Sequence, residues 1–239
     1  SFCLHVWGDY ACFARPELKV ERFSYPTITP SAARGIFDAI YCKPIEFRWQ
    51  IHKIEILKQP IYLALRRNEV KEKIPVTAVQ RWMTGTEEPE PIWADGDRDL
   101  SGSDEKGRTQ RQTMALKDVN YRITASIVRW PNCPHTQTSL EDQFLRRAKA
   151  GKCFAQPYFG CREFPAFFEL DDAVNSPSPV AYTADIGLML YDVFDLSKPS
   201  TSSAKPAVSL FRAYVNNGVL DVPDFDDAAV LKSVPVEMR

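Results

Sequence analysis

PSAARGIFDAIYCKPIEFRWQIHKIEI, residues 30–56, decides how the chain is read. Thr29 stands before it as an N-cap, and Pro30 fills the first helical position, where a missing N–H costs nothing. Ala33, Ile36, Phe37 and Ile40 then recur at helical spacing as one apolar stripe, and Pro44 stops the helix. Tyr41 falls in the last turn, beside the stripe rather than in it. Directly afterwards Phe47, Trp49 and Ile51 alternate with Arg48 and Gln50, the period-two pattern of a strand running on to Ile56. A helix followed at once by a half-buried strand is the second half of a β-α-β unit.

The flanking sequence completes that unit. Upstream, Phe2, Leu4 and Val6 alternate with Cys3, His5 and Trp7, which predicts a first strand; a polar, proline-bearing connection then leads to residue 30. Downstream, Val119, Tyr121, Ile123, Ala125 and Ile127 mark a long strand over Leu116–Trp130. Thr138-Ser139-Leu140-Glu141 reads as a capping box opening a second helix, with Leu140, Phe144 and Ala148 as its stripe and Gly151 as its stop. Tyr158–Leu170, aromatic and β-prone, reads as a fourth strand. The order is β-α-β-β-α-β, the ferredoxin-like arrangement. Residues 70–113, with TGTEEPEPIW and ADGDRDLSGSDEKG, hold few apolar residues and read as an exposed hairpin or mobile insertion. Beyond residue 170, Ile186–Phe194 and Ala207–Val222, with a turn at Asn216-Asn217-Gly218, predict a small antiparallel sheet. The expectation is an α+β protein: a ferredoxin-like domain over 1–170 with the insertion at 70–113, then a small β-sheet domain over 171–239.

Composition narrows the function classes. The 239 residues are 44% hydrophobic and 26% charged, ordinary for a globular protein with a proper core. No run approaches the roughly 20 apolar residues of a membrane helix, and SFCLHVWGDYACF at the start shows no secretory signal. Six cysteines without a CxxC pair argue against a zinc site and fit reduced thiols in a cytoplasmic protein. No GxSxG, Walker loop or HExxH motif occurs; acidic pairs such as Glu87-Glu88 and Asp226-Asp227 lie in polar segments and make a weak metal site. No metal or cofactor is expected.

The net charge of −1 conceals an asymmetry. Residues 170–239 hold 5 Lys/Arg against 10 Asp/Glu, and residues 1–169 hold 25 against 21. A basic half of this kind hints at a polyanionic partner. The densest positive stretch is Arg146, Arg147, Lys149 and Lys152 at the end of the second helix, followed by Phe154, Tyr158 and Arg162 in an aromatic, glycine-bearing loop. From spacing alone it reads equally as cations complementing a helix C-terminus or as phosphate contacts beside a base-stacking platform. Arg66 and Arg67 precede the insertion, as a basic arm or as solvated charge. The acidic C-terminal part offers Leu188, Met189, Leu210 and Phe211 as apolar anchors for a protein partner, or as its own core. Among the histidines, His5 and His52 lie inside predicted strands, whereas His135 lies in a loop, a better address for proton transfer.

Several phrases carry a resemblance. VWGDYACFARPELKVERFSY (6–25), SAARGIFDAIYCKP (31–44), RRNEV (66–70) and RRAKAGKCFAQPYFGCREFPA (146–166) together resemble the D-type Cas-five proteins of subtype I-C CRISPR systems, in the same order as in that family. The resemblance implies a ferredoxin-like, RRM-related domain and a metal-independent endoribonuclease that cuts precursor CRISPR RNA in the repeat by attack of a 2′-hydroxyl on the adjacent phosphate. It implies retention on the 5′ handle as a Cascade subunit in antiviral defence. The partners would be precursor and mature CRISPR RNA and the backbone and large Cascade subunits, with target DNA reached only through the complex. The family's catalytic Tyr, in a phrase like IYWKP, matches Tyr41 in Ile40-Tyr41-Cys42-Lys43-Pro44, with Lys43 two residues on as a cation for the phenolate. The family also uses a Lys-His pair near the second helix. Counting without a gap lands on Ser139 and Leu140; a short insertion instead aligns His135, with Pro134 in place of the Lys. On this reading Tyr41, Lys43 and His135 are catalytic, and Arg66, Arg67, Arg146, Arg147, Lys149, Lys152, Phe154, Tyr158 and Arg162 bind RNA. The alternatives are a subunit that binds the 5′ handle without cutting, and an α+β domain for a small ligand.

Overall fold

The computed structural model describes residues 1–18, 20–71, 73–89, 107–171, 177–199 and 206–232. Residues 90–106 of the expected insertion, and 172–176, 200–205 and 233–239 of the expected C-terminal domain, lie outside them. Among the described residues the chain is a mixed α/β protein dominated by one antiparallel sheet with few helices. The strands are β1 (Phe2–Ala11), β2 (Arg22–Phe23), β3 (Phe47–Ile56), β4 (Ile61–Val70), β5 (Arg108–Arg129), β6 (Phe167–Leu170), β7 (Ala184–Asp192), β8 (Ser209–Asn216), β9 (Val219–Asp221) and β10 (Val230–Lys232). The helices are α1 (Pro30–Ile40), α2 (Val76–Met83) and α3 (Gln137–Lys149). No helix is long and apolar enough to cross a membrane among the described residues.

Four strands lie in the order β6-β1-β5-β3, every neighbour antiparallel. Their chain connections pass through α1 (β1 to β3) and α3 (β5 to β6). The α1 start is as read: Thr29 Oγ1 accepts from Ala32 N, with Pro30 at the first position, and Ala33, Ile36, Phe37 and Ile40 are buried. Phe37 and, from α3, Phe144 close on Trp49 of β3 at 4.9 and 4.7 Å between centroids, and Phe2 joins them. These rings seal the helices to one face of the sheet, the kind of aromatic contact that adds about 0.5–1.5 kcal/mol per pair beyond area burial.

Two readings need correction. The cap of α3 is Thr136, whose Oγ1 accepts from Ser139 N, rather than Thr138. Gln137 explains the earlier start, because its amide donates to Ile127 O and to Glu141, tying the first turn to the end of β5. The fourth strand is only Phe167–Leu170. Residues 157–166 are instead a loop folded back against the end of β1, where Cys12 N donates to Phe159 O. Gly160 permits this: its φ is +79°, and a Cβ there would lie 2.1 Å from Cys12 O, so only glycine fits.

Contacts divide the chain into two compact units. The first is Ser1–Leu63 with Met114–Arg239, and the second is Ala64–Thr113. Within the second, Lys71 N donates to Gly107 O, and α2 has only Ala78 buried. In the first, the C-terminal strands continue the main sheet, since β9 pairs with both β8 and β3. The turn joining β8 to β9 has Asn217 and Gly218 at φ 47° and 77°, the backbone that a two-residue hairpin demands. Met189 and Phe211, read as candidate partner anchors, are buried core residues, because they alternate inward along β7 and β8; Leu188 remains exposed.

Candidate functional site

The C-terminus of α1 opens onto a cavity of about 640 Å³, lined by Tyr41, Lys43, His135, Thr136, Leu140 and Arg146 among others. Tyr41 is the C-cap of α1. Its N–H donates to Phe37 O, and its carbonyl accepts from the Trp49 indole at 2.9 Å. Its ring lies 5.1 Å from that of Phe47, so the phenol is wedged at the foot of β3 with little rotational freedom. Burial pushes the Tyr41 pKa above its ordinary value; the Lys43 ammonium opposes that shift and the Glu46 carboxylate adds to it. At neutral pH the resting phenol therefore keeps its proton.

Lys43 and Glu46 belong to the turn between α1 and β3. The Lys43 ammonium donates to both Glu46 carboxylate oxygens at 3.0 Å, and His135 Nε2 stands 3.6 Å from Glu46 Oε2. Two parts of the chain far apart in sequence are thus joined through one carboxylate. Arg146 reaches the cavity from α3 and donates to Gln143. Glu46 is the participant that sequence reading missed, because a Lys-x-x-Glu spacing reads as an ordinary surface pair.

The other expected residues are dispersed. Arg147 turns away from this cavity and donates to Ile40 O, bracing α3 against the last turn of α1. Lys149 and Lys152 are exposed at the end of α3. Phe154, Tyr158 and Arg162 line a second, larger cavity of about 880 Å³, with Arg22, Arg34 and Phe194. Phe154 is 66% exposed, and its N–H donates to Ala39 O. On the floor of this groove the Arg34 guanidinium donates to Asp192 and Asp38. Arg66 and Arg67 belong to the second compact unit, on β4, where Glu69 pairs with Arg67 and Arg111. His5 and His52 lie in strands away from this cavity: His5 bridges Glu169 and Asn120, and His52 contacts Ser126.

Comparison with known proteins gives the chain its relatives. The sequence pattern of the family described as CRISPR-associated protein (Cas_Cas5) matches residues 1–223. A Mannheimia succiniciproducens protein named CRISPR pre-crRNA endoribonuclease Cas5d is 42% identical over 230 residues, covering 93% of this chain and 94% of that one. A Thermus thermophilus protein of the same name is 37% identical, covering 91% and 89%. A crystal structure of a CRISPR-associated protein superposes with a TM-score of 0.61 at 19% identity, over 96% of this chain and 95% of the other; at that identity the likeness concerns the fold.

Proposed function

The chain belongs to the CRISPR-associated Cas5d family, and from that premise we propose that it is an endoribonuclease acting on precursor CRISPR RNA. The observation that carries the reading is the convergence of Tyr41, Lys43, His135 and Arg146 on one cavity. Cleavage by attack of a 2′-hydroxyl on the adjacent phosphate needs three things: a group to take the 2′ proton, a donor for the leaving 5′-oxygen, and cations near the phosphorane charge. Tyr41 stands at the 2′-hydroxyl, with its phenolate favoured by the nearby Lys43 ammonium. His135 protonates the leaving oxygen, and Lys43 and Arg146 face the phosphate. The 2′-oxygen forms a bond to phosphorus as the bond to the 5′-oxygen breaks, leaving a cyclic phosphate and a 5′-hydroxyl without a metal.

The same reading extends to the rest of the molecule. The sheet order β6-β1-β5-β3 supports a ferredoxin-like layout for residues 1–170, with 70–113 as a hairpin arm and 171–239 as a small β-sheet part. RNA runs over Arg146, Arg147, Lys149 and Lys152 to Phe154, Tyr158 and Arg162, and Arg66 and Arg67, on β4, are further RNA contacts. After cutting, the protein stays on the 5′ handle in a subtype I-C Cascade with its backbone and large subunits. The test is incubation with repeat RNA in EDTA. Cleavage is expected, and a 2′-deoxy residue at the cut position is expected to abolish it. A gel shift without cleavage would make the chain a binding subunit instead.

A further inference from the structure

We infer that Glu46 is a positioning residue for the cleavage reaction, holding Lys43 and His135 at the cavity without touching RNA itself. This rests on the ribonuclease reading above.

The backbone around Glu46 is pinned on both sides. Its N–H donates to Lys43 O at 2.8 Å, closing the turn, and its carbonyl accepts from Trp130 N at 2.9 Å, joining the start of β3 to the end of β5. The Trp130 indole donates to Pro44 O and closes the same corner. The carboxylate that emerges from this corner is only 16% exposed, whereas the side chains of Lys43 and His135 are 35% and 45% exposed. An ordinary i,i+3 surface pair has both partners in water and is worth little. Here the anion is withdrawn from solvent and both potential cations project past it into the cavity. Glu46 is absent from the cavity lining, so it acts through the groups around it.

Two consequences follow. A lysine side chain has a flexible four-carbon stem, and bidentate capture by a fixed carboxylate removes much of that freedom before substrate arrives. The carboxylate 3.6 Å from the imidazole also keeps that ring at the cavity, in reach of a leaving oxygen. The charged and titratable groups around His135 are few. Lys43, Glu46 and Tyr41 come from the α1–β3 turn, and Asp142 and Arg146 from α3. Cys133, on its own loop, donates its thiol to His135 O.

The test is Glu46→Gln, which keeps the shape and one acceptor oxygen but removes the charge. Expected is a fall of about tenfold in single-turnover rate, with unchanged affinity for a repeat RNA blocked by a 2′-deoxy residue. The limb of the pH–rate profile set by Tyr41 moves to lower pH, because the Glu46 carboxylate is one of the groups that raise the Tyr41 pKa. Independently of activity, the NMR ring signals of the three histidines read whether the imidazole of His135 keeps its place. At a fixed pH the His135 signals are expected to shift in Glu46→Gln, while those of His5 and His52 stay where they are. A lower melting temperature with an unmoved pH profile and unmoved His135 signals would overturn the inference and leave Glu46 a turn residue. If Glu46→Gln does not fold, Glu46→Asp takes its place, and a wild-type rate with wild-type His135 signals in that variant overturns it. A wild-type protein that fails to cut RNA would end the ribonuclease reading, and the His135 signals would still judge Glu46.

Discussion

Two cavities flank the single helix α1, and they handle charge in opposite ways. At its C-terminus, the partly exposed side chains of Lys43, His135 and Arg146 stand with the buried ring of Tyr41 around a cavity of about 640 Å³. Along its N-terminal turns, the larger groove locks its central cation away: burial works against the charge on Arg34, but Asp192 and Asp38 raise its pKa above that of an ordinary arginine. What the groove offers a ligand is aromatic surface, chiefly Phe154, Tyr158 and Phe194. Proton transfer needs groups that can change partners, and stacking needs rigid faces. On the proposed function, the first cavity carries the chemistry and the second the grip.

The sharpest way to break the comparison is to unlock the groove. Arg34→Leu strands the Asp192 carboxylate, 2% exposed, without its cation; removing one partner of such a pair costs about 3–5 kcal/mol. Thermal unfolding is expected to drop by roughly 10 °C, whereas cleavage by the remaining folded protein stays near the wild-type rate. A selective loss of rate with full stability would put Arg34 in the chemistry.

Tyr41→Phe probes the other cavity. It is expected to lose about 10²-fold or more in single-turnover rate, about 2.7 kcal/mol of barrier, at unchanged RNA affinity. A wild-type rate would remove Tyr41 from the mechanism. Phe154→Ala should do the reverse. RNA affinity falls by about 1–3 kcal/mol, the worth of one stacked base, while the rate from bound substrate holds. Arg146→Gln is expected to weaken binding modestly and to flatten the slope of log affinity against log salt by about 0.7, one phosphate contact on a single strand. An unchanged slope would take Arg146 off the RNA.

The smallest effect concerns Asp38. Burial raises its pKa, and Arg34 only partly offsets that. A carboxyl with a raised folded pKa favours folding when protonated, so its ionisation weakens the protein as pH rises from the ordinary carboxylate value through the raised one. Asp38→Asn is therefore expected to give a small stabilisation at neutral pH that vanishes in mild acid. A loss of stability at neutral pH would mean that the contact with Arg34 outweighs burial.

How much of this was legible beforehand varied by element. Thr29, Pro30 and the stripe of α1 were readable because a cap, a proline and a period of 3.6 are local signals. The cap of α3 was misplaced by two residues because Thr136 and Thr138 are equivalent on paper, and only the reach of Gln137 to Ile127 O chooses between them. Strand β4 escaped notice because its alternation leaves no buried face. Tyr41 and Lys43 were singled out by the family phrase and its spacing, and His135 by its loop position and by an alignment that needs a short insertion. Glu46 was not, since its significance lies in a neighbour supplied by a distant segment.

Local order, the approximate places of the main helices and strands and the chemical identity of the candidate residues were determined by the sequence alone, because capping, periodicity and side-chain chemistry act over a few residues. Which side chains meet was decided only by the tertiary structure. The pairing of β9 with β3, the fold-back of the Gly160 loop, and the approach of His135 to Glu46 all depend on antiparallel register and helix packing. Those are long-range conditions, satisfied by the whole sheet at once rather than by any stretch of the chain.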